Sequence, residues 1–323
     1  MRAVVVPEHG GAEVLTVREH DPAPLGPDQV RVRVAAAGVN FIDIYQRRGL
    51  YSMELPFVAG SEGAGEVLEA GAEVSDLAVG DTVAWAMVPG SGYTEEAVLP
   101  AAKAVPVPDG VDAETAAAVM LQGMTAQYLV TTTFPAREGH TAVVHAAAGG
   151  VGLLLCQLLS DRGVRVIGTT STPEKAELAR GAGAHEIVLY REQDLVTEVR
   201  RLTGEEGVDV VYDGVGKDTF DAGLELLRPR GMMVLFGASS GPVPPLDPQS
   251  LNAHGSLYLT RPSLAHYLLT REELLQRSGA VMSAVAEGRL TVRVGGRYPL
   301  AEASRAQADL ESGATTGKLL VLP

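Results

Sequence analysis

The sequence predicts an α/β fold in which a doubly wound parallel-sheet domain is inserted into a β-rich domain. Three observations carry that prediction. Short strand-like runs broken by glycines fill the chain from Met1 to about Pro108. Beyond Asp109, helical and strand patterns alternate, as in repeated βα units that lay a parallel sheet between two layers of helices. A small-residue turn, Ala146-Ala147-Ala148-Gly149-Gly150-Val151-Gly152, stands at the first strand-to-helix junction of that series.

The elements follow in order. Residues 1–6 form a short apolar strand, too brief for a signal segment. Val30, Val32 and Val34 alternate with Arg31 and Arg33, the period-two pattern of a half-buried strand. Gly60, Gly63, Gly65, Gly71, Gly80, Gly90 and Gly92 divide the next stretch into short all-β pieces. Residues 109–130 read as a helix. Strands are then expected at 140–145, 164–169, 186–189, 208–212 and 232–236, and helices at 151–161, 173–182, 192–202 and 218–227. A proline-rich loop at 242–248 precedes a sixth strand at 256–259. The tail, a helix at 272–287 and short strands ending at 319–322, returns to the β-rich domain. The expected division is 1–122 with 264–323 for that domain and 123–263 for the inserted one.

Bulk properties narrow the function. At about 100–200 residues per domain, 323 residues suit two domains. With 46% hydrophobic and 20% charged residues, the balance is that of a water-soluble globular chain. A formal charge of -14 argues against nucleic acid or an anionic membrane as the main partner. Nothing approaches the roughly 20 apolar residues of a membrane span. The single cysteine, Cys156, excludes an intrachain disulfide and any four-cysteine metal site, so a reducing cytoplasm is expected. Cys156 itself reads as a small buried hydrophobe, and His145 as core or loop support.

The turn at 146–152 carries the strongest chemistry. Small residues let the backbone approach a pyrophosphate, and the next helix aims its free N–H groups and positive dipole end at that anion. A fold of this type that prefers NAD usually ends its second strand in Asp or Glu, which holds the ribose 2′-hydroxyl. Here that strand ends Gly168-Thr169-Thr170-Ser171, with Lys175 beyond. Hydroxyl donors and a cation suit a 2′-phosphate, so NADPH is expected. Lys175 would equally suit the solvated face of its helix.

The loop at 146–152, the segment Asn40-Phe41-Ile42-Asp43 and the segment Thr260-Arg261-Pro262-Ser263-Leu264 resemble bacterial quinone oxidoreductases, in the zeta-crystallin-like branch of the medium-chain dehydrogenase/reductase family. The likeness runs over essentially the whole chain. It implies a GroES-like catalytic domain, a Rossmann domain, NADPH as hydride donor, a quinone acceptor, a homodimer, and a cofactor lying between the domains. Cofactor contacts carry over onto Asn40, Thr125, Gly149, Gly150, Val151, Gly152, Thr170, Ser171, Lys175, Tyr190, Phe236, Ser239, Ser240 and Lys318. Asn40, Tyr45 and Tyr51 are the expected catalytic groups, and Tyr45, Tyr51 and Arg261 the expected lining of the substrate cleft. The tyrosines would also serve as amphipathic packing, Asn40 as a turn former and Arg261 as a helix cap. Asp43 and Glu62 read as structural partners for arginines.

Zinc-containing relatives supply ligands from a cysteine and from a His-Glu pair; here Asn40 and Ser61 stand at those positions, and neither is a normal zinc ligand. Without a Lewis acid, an already electrophilic acceptor is expected, because its oxyanion is delocalised and needs only hydrogen bonds. That leaves quinones, α,β-unsaturated aldehydes or ketones, and a non-enzymatic NADPH- or RNA-binding role as competing functions. A basic stripe is missing, which counts against RNA.

Overall fold

A computed structural model describes all residues, 1–323, and divides into two compact units. One comprises Met1–Met124 with Tyr267–Pro323, the other Thr125–His266.

The first unit is built on a seven-stranded sheet. Its order is Val294–Pro299, Lys318–Leu322, Gln29–Val39, Glu62–Ala70, Thr82–Ala86 and Val105–Pro106, with Glu96–Pro100 paired to Gln29–Val39 off that path. Val30 and Val32 are buried while Arg33 is exposed, as the alternation requires. Lys318–Leu322 pairs antiparallel with Gln29–Val39, with Leu319 opposite Val39. That register places Lys318 beside the end of the strand that leads into Asn40. A three-stranded sheet, Thr16–Glu19, Arg2–Val6 and Phe57–Val58, completes the β structure. Trp85, Tyr93, Leu99 and the strand valines form its core.

Two helices stand in this unit where only strands were expected. Phe41–Arg47 is helical because the Asp43 carboxylate reaches back to accept from the Asn40 N–H at 3.0 Å, satisfying one of the donors a helix start leaves open. Ala303–Glu311 is a further helix in a tail expected to hold only strands at that point; its buried Ala303, Ala306 and Gln307 lie at helical spacing.

The second unit is a six-stranded parallel sheet, ordered Glu186–Leu189, Arg165–Thr170, Thr141–Val144, Val208–Asp213, Leu227–Leu235 and Tyr258–Thr260. The order reverses direction from Thr141–Val144, where strand ends separate and leave room for a ligand. Helices Gly150–Ser160, Pro173–Gly181, Leu195–Thr203 and Phe220–Leu226 connect these strands. Cys156 is fully buried, and burial pushes its thiol up to about 12, as suits an inert packing residue. No helix is long and apolar enough to cross a membrane.

Candidate active site

In the second unit the phosphate turn begins where Thr141–Val144 ends. Ala146 adopts a left-handed conformation, φ 51°, and its carbonyl accepts from Gly149 N at 2.8 Å. The helix Gly150–Ser160 starts immediately, and no side chain caps it. A Cβ at Gly152 would collide with the Ala146 carbonyl oxygen and stand 2.8 Å from Ala147 Cα. The turn therefore folds back on the helix it feeds, and glycine is the residue that fits. What remains is an uncapped ring of helix N–H groups, suited to an anion. Below it, buried His145 holds Thr169 through Nδ1 at 3.1 Å, and burial lowers the ring's proton affinity against the pull of Asp213. His145 is thus loop support.

Thr169 and Thr170 are buried at the end of the neighbouring strand, followed by half-buried Ser171. Thr172 caps Pro173–Gly181 by accepting from Lys175 N. The Tyr190 N–H donates to the Thr170 carbonyl at 3.2 Å, with its side chain 50% exposed. Thr170, Ser171, Lys175 and Tyr190 are thereby gathered at one sheet corner. Partial burial, then the charge of Arg191, holds the Lys175 ammonium below the ordinary lysine range. Arg191, next to Tyr190 in the chain, adds a second cation near Lys175 that the motifs do not mark.

Further along, the buried Asp213 carboxylate accepts from Val215 N at 2.7 Å, Gly216 N at 3.0 Å and the Thr219 hydroxyl at 2.9 Å, which fixes the loop after its strand. Ser240 Oγ donates to the Val215 carbonyl and accepts from Asp218 N. Ser239 is exposed, and Arg261 donates to the Phe236 carbonyl at 2.9 Å. Arg261 thus steadies the Phe236 segment and caps no helix through that bond. Thr125 is buried on the helix Ala113–Tyr128.

The first unit holds a different kind of site. Asn40 is 4% exposed, Glu62 0% and Lys318 1%. Lys318 Nζ donates to Asn40 Oδ1 at 2.7 Å and to Glu62 Oε2 at 2.5 Å. Asn40 Nδ2 donates to Glu62 Oε2 at 2.8 Å and to the Gly38 carbonyl at 3.2 Å. The other Glu62 oxygen accepts from Leu121 N. An amide carries two N–H donors, and both are engaged here, so what Asn40 can offer a ligand is an acceptor lone pair. These contacts also correct the expectation that Glu62 and Asp43 pair with arginines. Glu62 pairs with Lys318, and Asp43 holds Asn40 N and the Tyr93 hydroxyl. The sheet register, with Leu319 opposite Val39, brings Lys318 rather than an arginine to Glu62. Burial pushes Asp43 up to about 7, opposed by the Ser61 hydroxyl and the Lys318 ammonium.

Tyr45 is buried, with its ring 5.4 Å from Tyr51 in edge-on contact and 6.1 Å from Phe41. Tyr51 is 43% exposed. The two phenols expected to face substrate are therefore neighbours. The residues at the relatives' zinc positions do not fit that metal. Asn40 presents an amide bound to an ammonium, and Ser61 Oγ donates to Gln46 Oε1. With its amide taken up by Lys318, Glu62 and Gly38, Asn40 has no anionic or imidazole donor to offer that metal.

Residues 26–133 match the alcohol dehydrogenase GroES-like domain, and residues 150–276 match the zinc-binding dehydrogenase family model. Together with the parallel sheet, these matches define the medium-chain dehydrogenase/reductase class. The chain is 47% identical over 316 residues to the quinone oxidoreductase of Pseudomonas aeruginosa, covering 98% of this chain and 97% of that one. A solved Escherichia coli quinone oxidoreductase complexed with NADPH superposes with a TM-score of 0.98 at 42% identity, covering all of both chains. A 2-haloacrylate reductase from a Burkholderia species is 41% identical over 328 residues, covering 99% of this chain and 98% of that one. The chain belongs to the quinone oxidoreductase family of medium-chain dehydrogenases/reductases.

Proposed function

We propose that this protein reduces quinones with NADPH as hydride donor and without zinc. The observation that carries this reading is the backbone cradle at 146–152 beside a strand end, Thr169-Thr170-Ser171, that lacks a carboxylate. Gly149, Gly150, Val151 and Gly152 would hold the pyrophosphate, and Thr170, Ser171, Lys175 and Tyr190 the 2′-phosphate. Thr125, Phe236, Ser239 and Ser240 complete the contacts in the unit Thr125–His266, which serves as the cofactor domain. Asn40 belongs to the nicotinamide end and accepts from the cofactor, while Lys318, 1% exposed and engaged by Asn40 and Glu62, stands behind it rather than making the direct contact the resemblance implies.

When bound, NADPH supplies the hydride. The protein's own residues bind, orient and stabilise charge. As both Asn40 N–H groups are engaged, hydrogen bonding to the developing oxyanion falls to the phenols of Tyr45 and Tyr51. Tyr51, open to solvent, can pass a proton to the reduced oxygen. Arg261 steadies the Phe236 segment of the cofactor domain through the Phe236 carbonyl.

The 2-haloacrylate reductase relative supports a second reading, reduction of an α,β-unsaturated carbonyl compound at the same groups. Optical measurement of NADPH consumption against quinones, alkenals and 2-haloacrylates separates the two. The quinones should turn over fastest, and chelator should not slow them. Faster reduction of the alkenals or haloacrylates would hand the function to the second reading.

We also infer a homodimer in the cytoplasm. Tyr258–Thr260 is the outermost strand of its sheet and exposes Tyr258 and Leu259, which suits pairing across a two-fold axis. A buried lone cysteine suits a reducing compartment.

A further inference from the structure

We propose that Glu62 and Lys318 are positioning residues that act on the nicotinamide end of the cofactor through Asn40, without touching the cofactor themselves. This rests on the NADPH reading above. Lysine can only donate and a carboxylate only accept. With Lys318 on Oδ1 and Glu62 on Nδ2, the Asn40 amide has one permitted orientation, and its free lone pair is the sole polar feature left for a ribose hydroxyl or carboxamide N–H. Reversing the amide would set its N–H against the ammonium and its oxygen against the carboxylate.

Stability alone is a poor account of this pair. Burying two charges costs several kcal/mol in desolvation, and apolar replacements of similar volume are often neutral or stabilising. The backbone also makes room for it. A Cβ at Gly38 would collide with Glu62 Oε2 and lie 2.6 Å from Lys318 Nζ. Glu62 is anchored in turn by Leu121 N, so the acceptor facing Asn40 is itself held in place.

The test uses the full chain and calorimetric binding of two ligands, NADPH and adenosine 2′,5′-bisphosphate, which lacks the nicotinamide end. The paired variant Glu62→Gln with Lys318→Met removes both charges while keeping shape. It should bind the bisphosphate like the parent but NADPH about tenfold more weakly, the loss of one well-oriented hydrogen bond. Adding Asn40→Ala to that background should cost little more, although alone it should cost about tenfold. Unchanged NADPH affinity in the paired variant, or a full additional loss from Asn40→Ala on top of it, would overturn the proposal. Should the paired variant not fold, Glu62→Gln alone is expected to show the same ligand-selective loss in smaller degree; equal losses for both ligands would count against the inference. A parent protein that binds neither ligand would sink the NADPH reading itself.

Discussion

The turn at 146–152 and the cluster of Asn40, Glu62 and Lys318 fix polar groups in place with different materials. The turn uses backbone N–H groups from consecutive residues, and its demand on side chains is that Gly152 carry none. The cluster uses three side chains, with Asn40 and Lys318 separated by 278 positions and joined by sheet register. A backbone site therefore breaks when atoms are added, and a side-chain site breaks when charge is unbalanced.

Substitutions can probe that contrast, beginning with the largest effect. Lys318→Met leaves the Glu62 charge buried without its ammonium, and should cost about 3–5 kcal/mol in denaturant unfolding. Adding Glu62→Gln should restore most of that loss; if it does not, packing and not charge governs the cluster. Gly152→Val forces its side chain into the Ala146 carbonyl, and should weaken NADPH binding about a hundredfold while leaving unfolding of the first unit near normal. Gly38→Ala tests the cluster by addition of atoms, with an expected cost of about 1–3 kcal/mol. Lys175→Ala should narrow the preference for NADPH over NADH about tenfold, read from the ratio of their dissociation constants.

The smallest effect concerns pH. Asp43 has a folded-state value near 7 against a reference of 3.8, so between these the folded chain holds the proton more tightly than the unfolded one. Its contribution to stability is present below that window and is lost as pH climbs through it toward 7. Thermal unfolding of Asp43→Asn should show a flatter pH dependence across the same range; an unchanged slope would assign the effect to another group.

Neighbouring residues carry much of this fold. The valine–arginine alternation at 30–34 gave a strand with one buried face, and the βα succession gave a parallel sheet, because periods of two and 3.6 are written in neighbouring residues. The helix Phe41–Arg47 was missed although Asn40 and Asp43 stand three apart, a spacing that marks a helix start; the surrounding glycine-broken strands masked it. Asn40 stands among the expected catalytic groups, and only the fold shows that its N–H groups are consumed by Gly38 and Glu62.

By itself, the sequence determined the fold class, the small-residue turn at 146–152 and the missing carboxylate that points to NADPH. These depend on residues adjacent in the chain, or on the identity of one residue at a strand end. Only the tertiary structure decided that Lys318 belongs to Glu62 and Asn40, that Asp43 is raised toward neutrality, and that both Asn40 N–H groups are engaged. Each depends on burial and on partners brought together across long stretches of chain, and no local pattern encodes which charge will meet which in the interior.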